Sequence, residues 1–253
     1  MRRILLNVGN TNCQVAEVLN CANRLGLSDS VHVVSTSVVL REGTDADIES
    51  PLAQLLPKGE DWCALCACVV PAVRLILEKF WPGRFHFVSW RDYPFMDFSR
   101  YDAERLGADR VANAAAAFSL TRGPVMVIDC GTAITTEAVD GKGHFLGGLI
   151  FPGRMLARKA LNTGTAQLPL IGLDETMPPP IGHCPEEAMK AGIDRTLAAG
   201  IAKAVEDVRQ MSGMEKCRVM VAGGDAKFFL NALSDLEPAP HHLTLQGIAL
   251  AAD

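Results

Sequence analysis

Leu5-Leu6-Asn7-Val8-Gly9-Asn10-Thr11-Asn12 and Val127-Ile128-Asp129-Cys130-Gly131-Thr132-Ala133-Ile134 say nearly the same thing twice in one chain. Each is an apolar run that ends in a short polar residue, then x-Gly, then a residue pair containing Thr. A strand feeding such a turn sets a carboxylate, backbone N–H groups and hydroxyls around one point, which suits a phosphate and its cation. A β-hairpin whose Asp and Thr satisfy turn backbone groups fits the same residues. Two copies predict a duplicated domain closing on a nucleotide from both sides. The copies differ at their first polar position, which is Asn7 in one and Asp129 in the other.

Outward from these turns, strand and helix patterns alternate, as in an α/β domain. Strands are expected at 3–6, 13–19, 31–40, 62–70 and 85–89. Helices are expected at 45–56, with Ile48, Leu52, Leu55 and Leu56 at helical spacing, and at 72–80, opened by Pro71. Residues 90–105 lack a period and read as a loop. The alanine-rich stretch 109–120 predicts a helix, and Thr121-Arg122-Gly123-Pro124 breaks it. The second half reads as strands at 125–129, 134–139, 144–150 and 217–222. Its helices are expected from Pro152 to 160, at 186–211 and 226–233, with a terminal helix at 243–252 and a Pro-rich loop at 169–185. The predicted halves are 1–118 and 119–253.

Composition sets limits on function. With 49% hydrophobic residues and a net charge of −5, the 253-residue chain has the make-up of a soluble globular protein. No Lys/Arg-rich run offsets the acidic balance, so no nucleic-acid surface is expected. Of the eight Cys, Cys13, Cys68, Cys130 and Cys217 lie in or beside apolar runs, where Cys acts as a small hydrophobe. Cys63-Ala64-Leu65-Cys66-Ala67-Cys68 lacks a second ligand pair at zinc spacing. There is no signal-peptide pattern after Met1-Arg2-Arg3, and no apolar run reaches the roughly 18 residues of a membrane helix. The expectation is a cytoplasmic protein without membrane contact.

Three further segments carry candidate chemistry. Val219-Met220-Val221-Ala222-Gly223-Gly224-Asp225-Ala226 is a strand entering a Gly-Gly turn that can lie flat against a base or ribose, or serve only as a strand-to-helix turn. Gly107-Ala108-Asp109-Arg110 opens the alanine-rich helix. Asp109 there is either a helix-start carboxylate or a general base beside an arginine that fixes an anionic substrate. Gly147-Gly148-Leu149-Ile150-Phe151-Pro152-Gly153 either walls an acceptor pocket or lets two segments pack closely. The six histidines form no ligand-spaced set.

Taken in order and spacing, these motifs resemble type III pantothenate kinase, of the acetate kinase/sugar kinase/Hsp70/actin superfamily. The match also takes in Cys68-Val69-Val70-Pro71, Glu187-Ala188-Met189-Lys190-Ala191-Gly192 and Leu243-Thr244-Leu245-Gln246-Gly247. The resemblance implies duplicated ribonuclease H-like (actin-like ATPase) domains of the α/β class, with mixed sheets flanked by helices, and a homodimer. It implies ATP-dependent phosphorylation of pantothenate, the first step toward coenzyme A, with Mg2+ and a monovalent cation, K+ or NH4+. By position, Asp109 is then the base that activates the pantothenate hydroxyl, and Gly107, Ala108, Arg110 and Tyr101 contact pantothenate. Asn7, Val8, Gly9, Asn10, Thr11 and Asn12 form the first phosphate loop. Thr132 binds the ATP phosphates, Gly223 and Gly224 face the adenosine, and Asp129 holds the monovalent cation.

The chain departs from the family pattern at three positions. Asn7 stands where Asp is usual, Gln14 where Lys is frequent, and Pro185 where a Thr hydroxyl would contact pantothenate. A neutral amide attracts a metal less than a carboxylate does. Alongside the active kinase, two other readings follow: a non-catalytic relative with a regulatory or binding role, and a kinase for another small hydroxyl acceptor.

Overall fold

A computed structural model describes residues 2–18, 31–38, 45–59 and 61–251 of the chain. The expected strand residues 19 and 39–40 and the helix residue 252 lie outside this set. The chain divides into two compact units, one of residues 1–119 with 240–253 and the other of 120–239. The sequence reading had grouped the terminal segment with the second half.

In the first unit, β1 (Arg2–Val8) lies between β2 (Cys13–Val18) and β4 (Trp62–Cys68), with β3 (Val31–Val38) and β5 (Phe85–Phe87) at the edges, giving the order β3-β2-β1-β4-β5. The β1/β2 and β2/β3 pairs are antiparallel; β1/β4 and β4/β5 are parallel. Helices α1 (Asp45–Leu55) and α2 (Pro71–Phe80) connect the parallel strands. Their apolar stripes, with Ile48, Leu52, Val73, Ile76 and Leu77, close a core against Ile4, Leu6, Val8, Cys13, Ala64 and Cys66. Residues 90–105 contain two single 3-10 turns, Trp90–Asp92 and Ala103–Arg105. Helix α3 (Ala108–Thr121) is buried along Val111–Ala117.

In the second unit, β6 (Val125–Cys130) is central, β7 (Ala133–Val139) and β8 (Phe145–Gly147) lie on one side, and β10 (Arg218–Ala222) and β11 (Glu237–Pro238) on the other. The β6/β7 and β7/β8 pairs are antiparallel and the β6/β10 and β10/β11 pairs parallel. Strand for strand, β8-β7-β6-β10-β11 repeats β3-β2-β1-β4-β5, so the duplicated turns sit at equivalent points of two like sheets. Helices α4 (Arg154–Gly164), α5 (Pro185–Arg209) and α6 (Ala226–Ala232) complete the unit. Its core joins Met126, Ile128 and Val221 to Leu197, Ile201 and Phe229.

Three expectations need correction. Residues 144–150 form no single strand: Gly147 adopts φ +113°, which ends β8, and β9 (Ile150–Pro152) pairs separately with β7. Pro152 therefore closes a strand instead of opening a helix, and α4 starts at Arg154 after the N-cap Gly153. The terminal helix α7 (Leu243–Ala249) ends earlier than expected. It packs on the first unit, where Tyr93 Oη donates to the Gly247 carbonyl (3.1 Å) and Thr244 Oγ1 to Asn113 Oδ1 (2.8 Å).

Candidate functional site

In the first unit, three segments meet at the carboxyl ends of β1 and β4. Residues 9–12 link β1 to β2, closed by Gly9 N–H donating to the Asn12 carbonyl (2.9 Å), and Asn10, Thr11 and Asn12 are exposed. Val69 N–H donates to the Val8 carbonyl (3.0 Å), which ties the Cys68–Pro71 segment to the same edge. The Val69 side chain in turn faces Gly107: a β-carbon on Gly107 would sit 3.5 Å from Val69 Cγ1 and 2.7 Å from Asp109 Oδ1. Only glycine leaves room for the Asp109 carboxylate to fold back over the helix start. There Asp109 Oδ1 accepts from Arg110 N–H (2.8 Å). Burial pushes the Asp109 carboxyl above the ordinary range, against the lowering influence of the Arg110 N–H and guanidinium. Arg110 itself is 8% exposed. Tyr101 lies in the preceding loop, its N–H donating to the Phe98 carbonyl (3.0 Å).

Asn7 is the penultimate residue of β1 and stands directly opposite Gln14. Directly opposed residues share a sheet face with side chains about 5 Å apart. Two departures from the family pattern are thus one cross-strand pair, with amides in place of an acid and a base. Asn7 Oδ1 is buried without a hydrogen-bond partner among the described residues.

In the second unit, Asp129 is the penultimate residue of β6, matching Asn7 in β1, and residues 131–133 make the turn, one residue shorter than its counterpart. Two other turns close on this one. Gly153 N–H donates to the Thr132 carbonyl (3.0 Å), and a β-carbon on Gly153 would overlap the Gly131 and Thr132 carbonyls. Gly223, at φ +92°, lies so close that a β-carbon would come within 2.6 Å of Asp129 Oδ1 and 2.5 Å of the Cys130 carbonyl. Asp225 N–H donates to that carbonyl (3.0 Å). Gly131, Thr132, Gly223 and Gly224 are all exposed. The structure thus gathers Asp129, Thr132, Gly223 and Gly224 at one edge of this unit, and Asn7–Asn12 with Gly107–Arg110 at one edge of the other.

One set of buried charges escaped the sequence reading. Arg154 and Arg158 on α4 both bond Asp194 of α5, all three with fully buried side chains. Arg154 reaches Asp225 as well (2.9 Å). The available signal was Asp194 itself, which sits on the stripe that continues with Leu197, Ala198 and Ile201, the core-facing side of α5. Pro185 opens α5 at its first turn, where the missing N–H costs nothing. Among the described residues no group of three or more His, Cys, Asp or Glu side chains is placed to hold a metal. The seven described cysteines carry free thiols.

Two like sheets of this topology, each with a glycine turn after its central strand, make up the duplicated fold of the actin-like ATPase and sugar kinase class. The fold is similar to that of component A of (R)-2-hydroxyglutaryl-CoA dehydratase from Acidaminococcus fermentans, with a TM-score of 0.55 at 15% identity, covering 99% of this chain and 96% of that one. Within the class, the sequence model of type III pantothenate kinase matches residues 3–207. The type III pantothenate kinase of Rhodospirillum rubrum is 37% identical over 202 residues, 77% of each chain. That of Desulfatibacillum aliphaticivorans is 30% identical over 265 aligned positions, 99% of this chain and 97% of the relative. The chain belongs to the type III pantothenate kinase family. Its activity is ATP-dependent phosphorylation of pantothenate, which feeds coenzyme A biosynthesis and uses a divalent metal with ATP.

Proposed function

We propose that Asp109 is the general base of this kinase. The observation that carries the assignment is a half-buried carboxylate, pushed up in pKa by desolvation and held by Arg110 N–H, at the start of a helix whose next residue is a buried arginine. Asp109 takes the proton of the pantothenate hydroxyl as that oxygen attacks the terminal phosphorus of ATP and the bond to the bridging oxygen of ADP breaks. Arg110 offers its cation to the pantothenate carboxylate, while Gly107, Ala108 and Tyr101 line the same acceptor site. The turn Asn7–Asn12 and Thr132 take the ATP phosphates, and Gly223 and Gly224 face the adenosine. Asp129 holds a monovalent cation, K+ or NH4+. The orphaned Asn7 Oδ1 fits the divalent ion that accompanies ATP, since an amide oxygen is an acceptable hard ligand. Bound there, the ion would supply positive charge against the ATP phosphates.

The active form is a homodimer in the cytoplasm. Leu149, Ile150, Leu156, Leu170 and Ile181 are exposed large apolar side chains on the second unit that a partner subunit would cover. The test of the catalytic assignment is a coupled ADP-release assay with pantothenate, Mg2+ and K+. Asp109→Asn is expected to lose at least about a thousandfold in kcat while still binding ATP. Retention of more than a tenth of wild-type turnover would remove Asp109 from the role.

A further inference from the structure

We propose that Arg154 is a positioning residue for the nucleotide, fixing the Gly223-Gly224-Asp225 turn against the Asp129–Thr132 turn. This rests on the assignment of Gly223 and Gly224 to the nucleotide. Arg154 follows directly on Gly153, whose backbone is bonded to the Thr132 carbonyl. Its guanidinium is fully buried and spends its donors on three segments. Nε and Nη2 form a fork to Asp194 (2.9 Å each), Nη1 donates to Asp225 Oδ1 (2.9 Å), and Nη2 also donates to the Asp174 carbonyl (2.9 Å). The guanidinium carbon stacks 3.5 Å from the centroid of the Phe228 ring, on the helix that follows the Gly-Gly turn. One planar group thus joins the turn before α4 to the turn before α6, and α5 anchors it through Asp194.

The Gly-Gly turn needs such an anchor. Gly223 sits at φ +92° against the Cys130 carbonyl, and neither glycine has a side chain with which to pack. In the matching place of the first sheet stand Cys68 and Val69, of which Cys68 packs against the core of that unit. Where the second unit gives up those side chains to expose backbone, Asp225 and Arg154 take over the fixing. Asp194 holds Arg158 as well, whose Nη1 donates to the Gly172 carbonyl. Asp194 and Asp225 pair with the two arginines, and the Asp174 carboxylate lies 3.9 Å from Arg154 Nη2, so neither buried guanidinium stands without a counter-charge.

Three variants separate this inference from the assignment on which it rests. A β-carbon on Gly224 meets no protein atom within 4 Å, so Gly224→Ala reports on the ligand alone. Arg154→Lys keeps the charge and loses the planar fork, and Asp225→Asn keeps the shape and loses the charge. Each is measured by fluorescence titration with a mant-labelled ATP, by KM for ATP and for pantothenate, and by thermal melting. The expected result is an ATP Kd raised about tenfold in Arg154→Lys and in Asp225→Asn, with KM for pantothenate within about twofold of wild type. If Arg154→Lys does not fold, Asp225→Asn alone decides the matter. ATP affinity within twofold of wild type in a folded Arg154→Lys or Asp225→Asn, with Gly224→Ala impaired, overturns the positioning role. Unchanged ATP affinity in Gly224→Ala overturns the nucleotide assignment instead. Equal loss of affinity for ATP and pantothenate marks a general structural role and also overturns the proposal.

Discussion

At the scale of single residues, the proposed base Asp109 and the opposed amides Asn7 and Gln14 can each be tested. The raised Asp109 carboxyl has a thermodynamic sign. A carboxylate whose folded pKa exceeds its unfolded value lowers stability as pH rises from the ordinary carboxylate range through the folded value. Asp109→Asn is therefore expected to melt no lower than wild type at neutral pH while losing turnover, a pairing that differential scanning calorimetry and the kinase assay can check together. With Asp109 as the proposed base, the acid limb of the wild-type kcat/KM profile is expected above that of an ordinary carboxylate. A limb at the position of an ordinary carboxylate would mean another group titrates. Asn7 and Gln14 carry a second prediction. Because they are opposed across β1 and β2, Asn7→Asp is expected to raise turnover, and Asn7→Asp with Gln14→Lys to raise it more than the separate gains combined. A double-mutant cycle measures that coupling, for which neighbours give about 0.5–3 kcal/mol.

At the scale of elements, close approaches of backbone and buried charge decide what tolerates change. Helix α7 meets α3 at Gly247, where a β-carbon would overlap the Ala112 carbonyl. Gly247→Ala is expected to destabilise the chain by about 1–3 kcal/mol, seen as a lower urea midpoint. Asp194 joins α4 to α5 through two arginines. Its removal strands two buried cations, so Asp194→Ala is expected to cost about 3–5 kcal/mol. Replacing one exposed charge, such as Lys203 on the outer side of α5, is expected to cost far less.

At the scale of the whole molecule, the topological repeat carries the fold, and the proposed dimer is testable at the exposed apolar side chains. Ile181, 71% exposed, and Leu170, 54% exposed, lie in the segment between α4 and α5. Leu170→Glu with Ile181→Glu is expected to shift the sedimentation coefficient from dimer toward monomer. An unchanged monomeric wild type would remove the dimer assignment.

The sequence by itself determined the strand–turn–strand repeat, the alternation of helix and strand, and the placement of candidate residues at strand ends. These are local matters: hydrophobic period, glycine content and helix-breaking residues act within a few positions. Local pattern did not separate β8 from β9, because Leu146, Leu149 and Ile150 read as one apolar run until Gly147 turns the chain. Only the tertiary structure decided that α7 packs with the first unit, that Asn7 and Gln14 form a pair, and that Gly153 and Gly223 press on the Asp129–Thr132 turn. It alone showed Arg154, Asp194 and Asp225 as one buried network, since their separations of 40 and 71 residues leave no periodic trace. Burial and pairing of charges depend on what the folded chain brings near, and that is a property of the packed sheets and helices rather than of any segment.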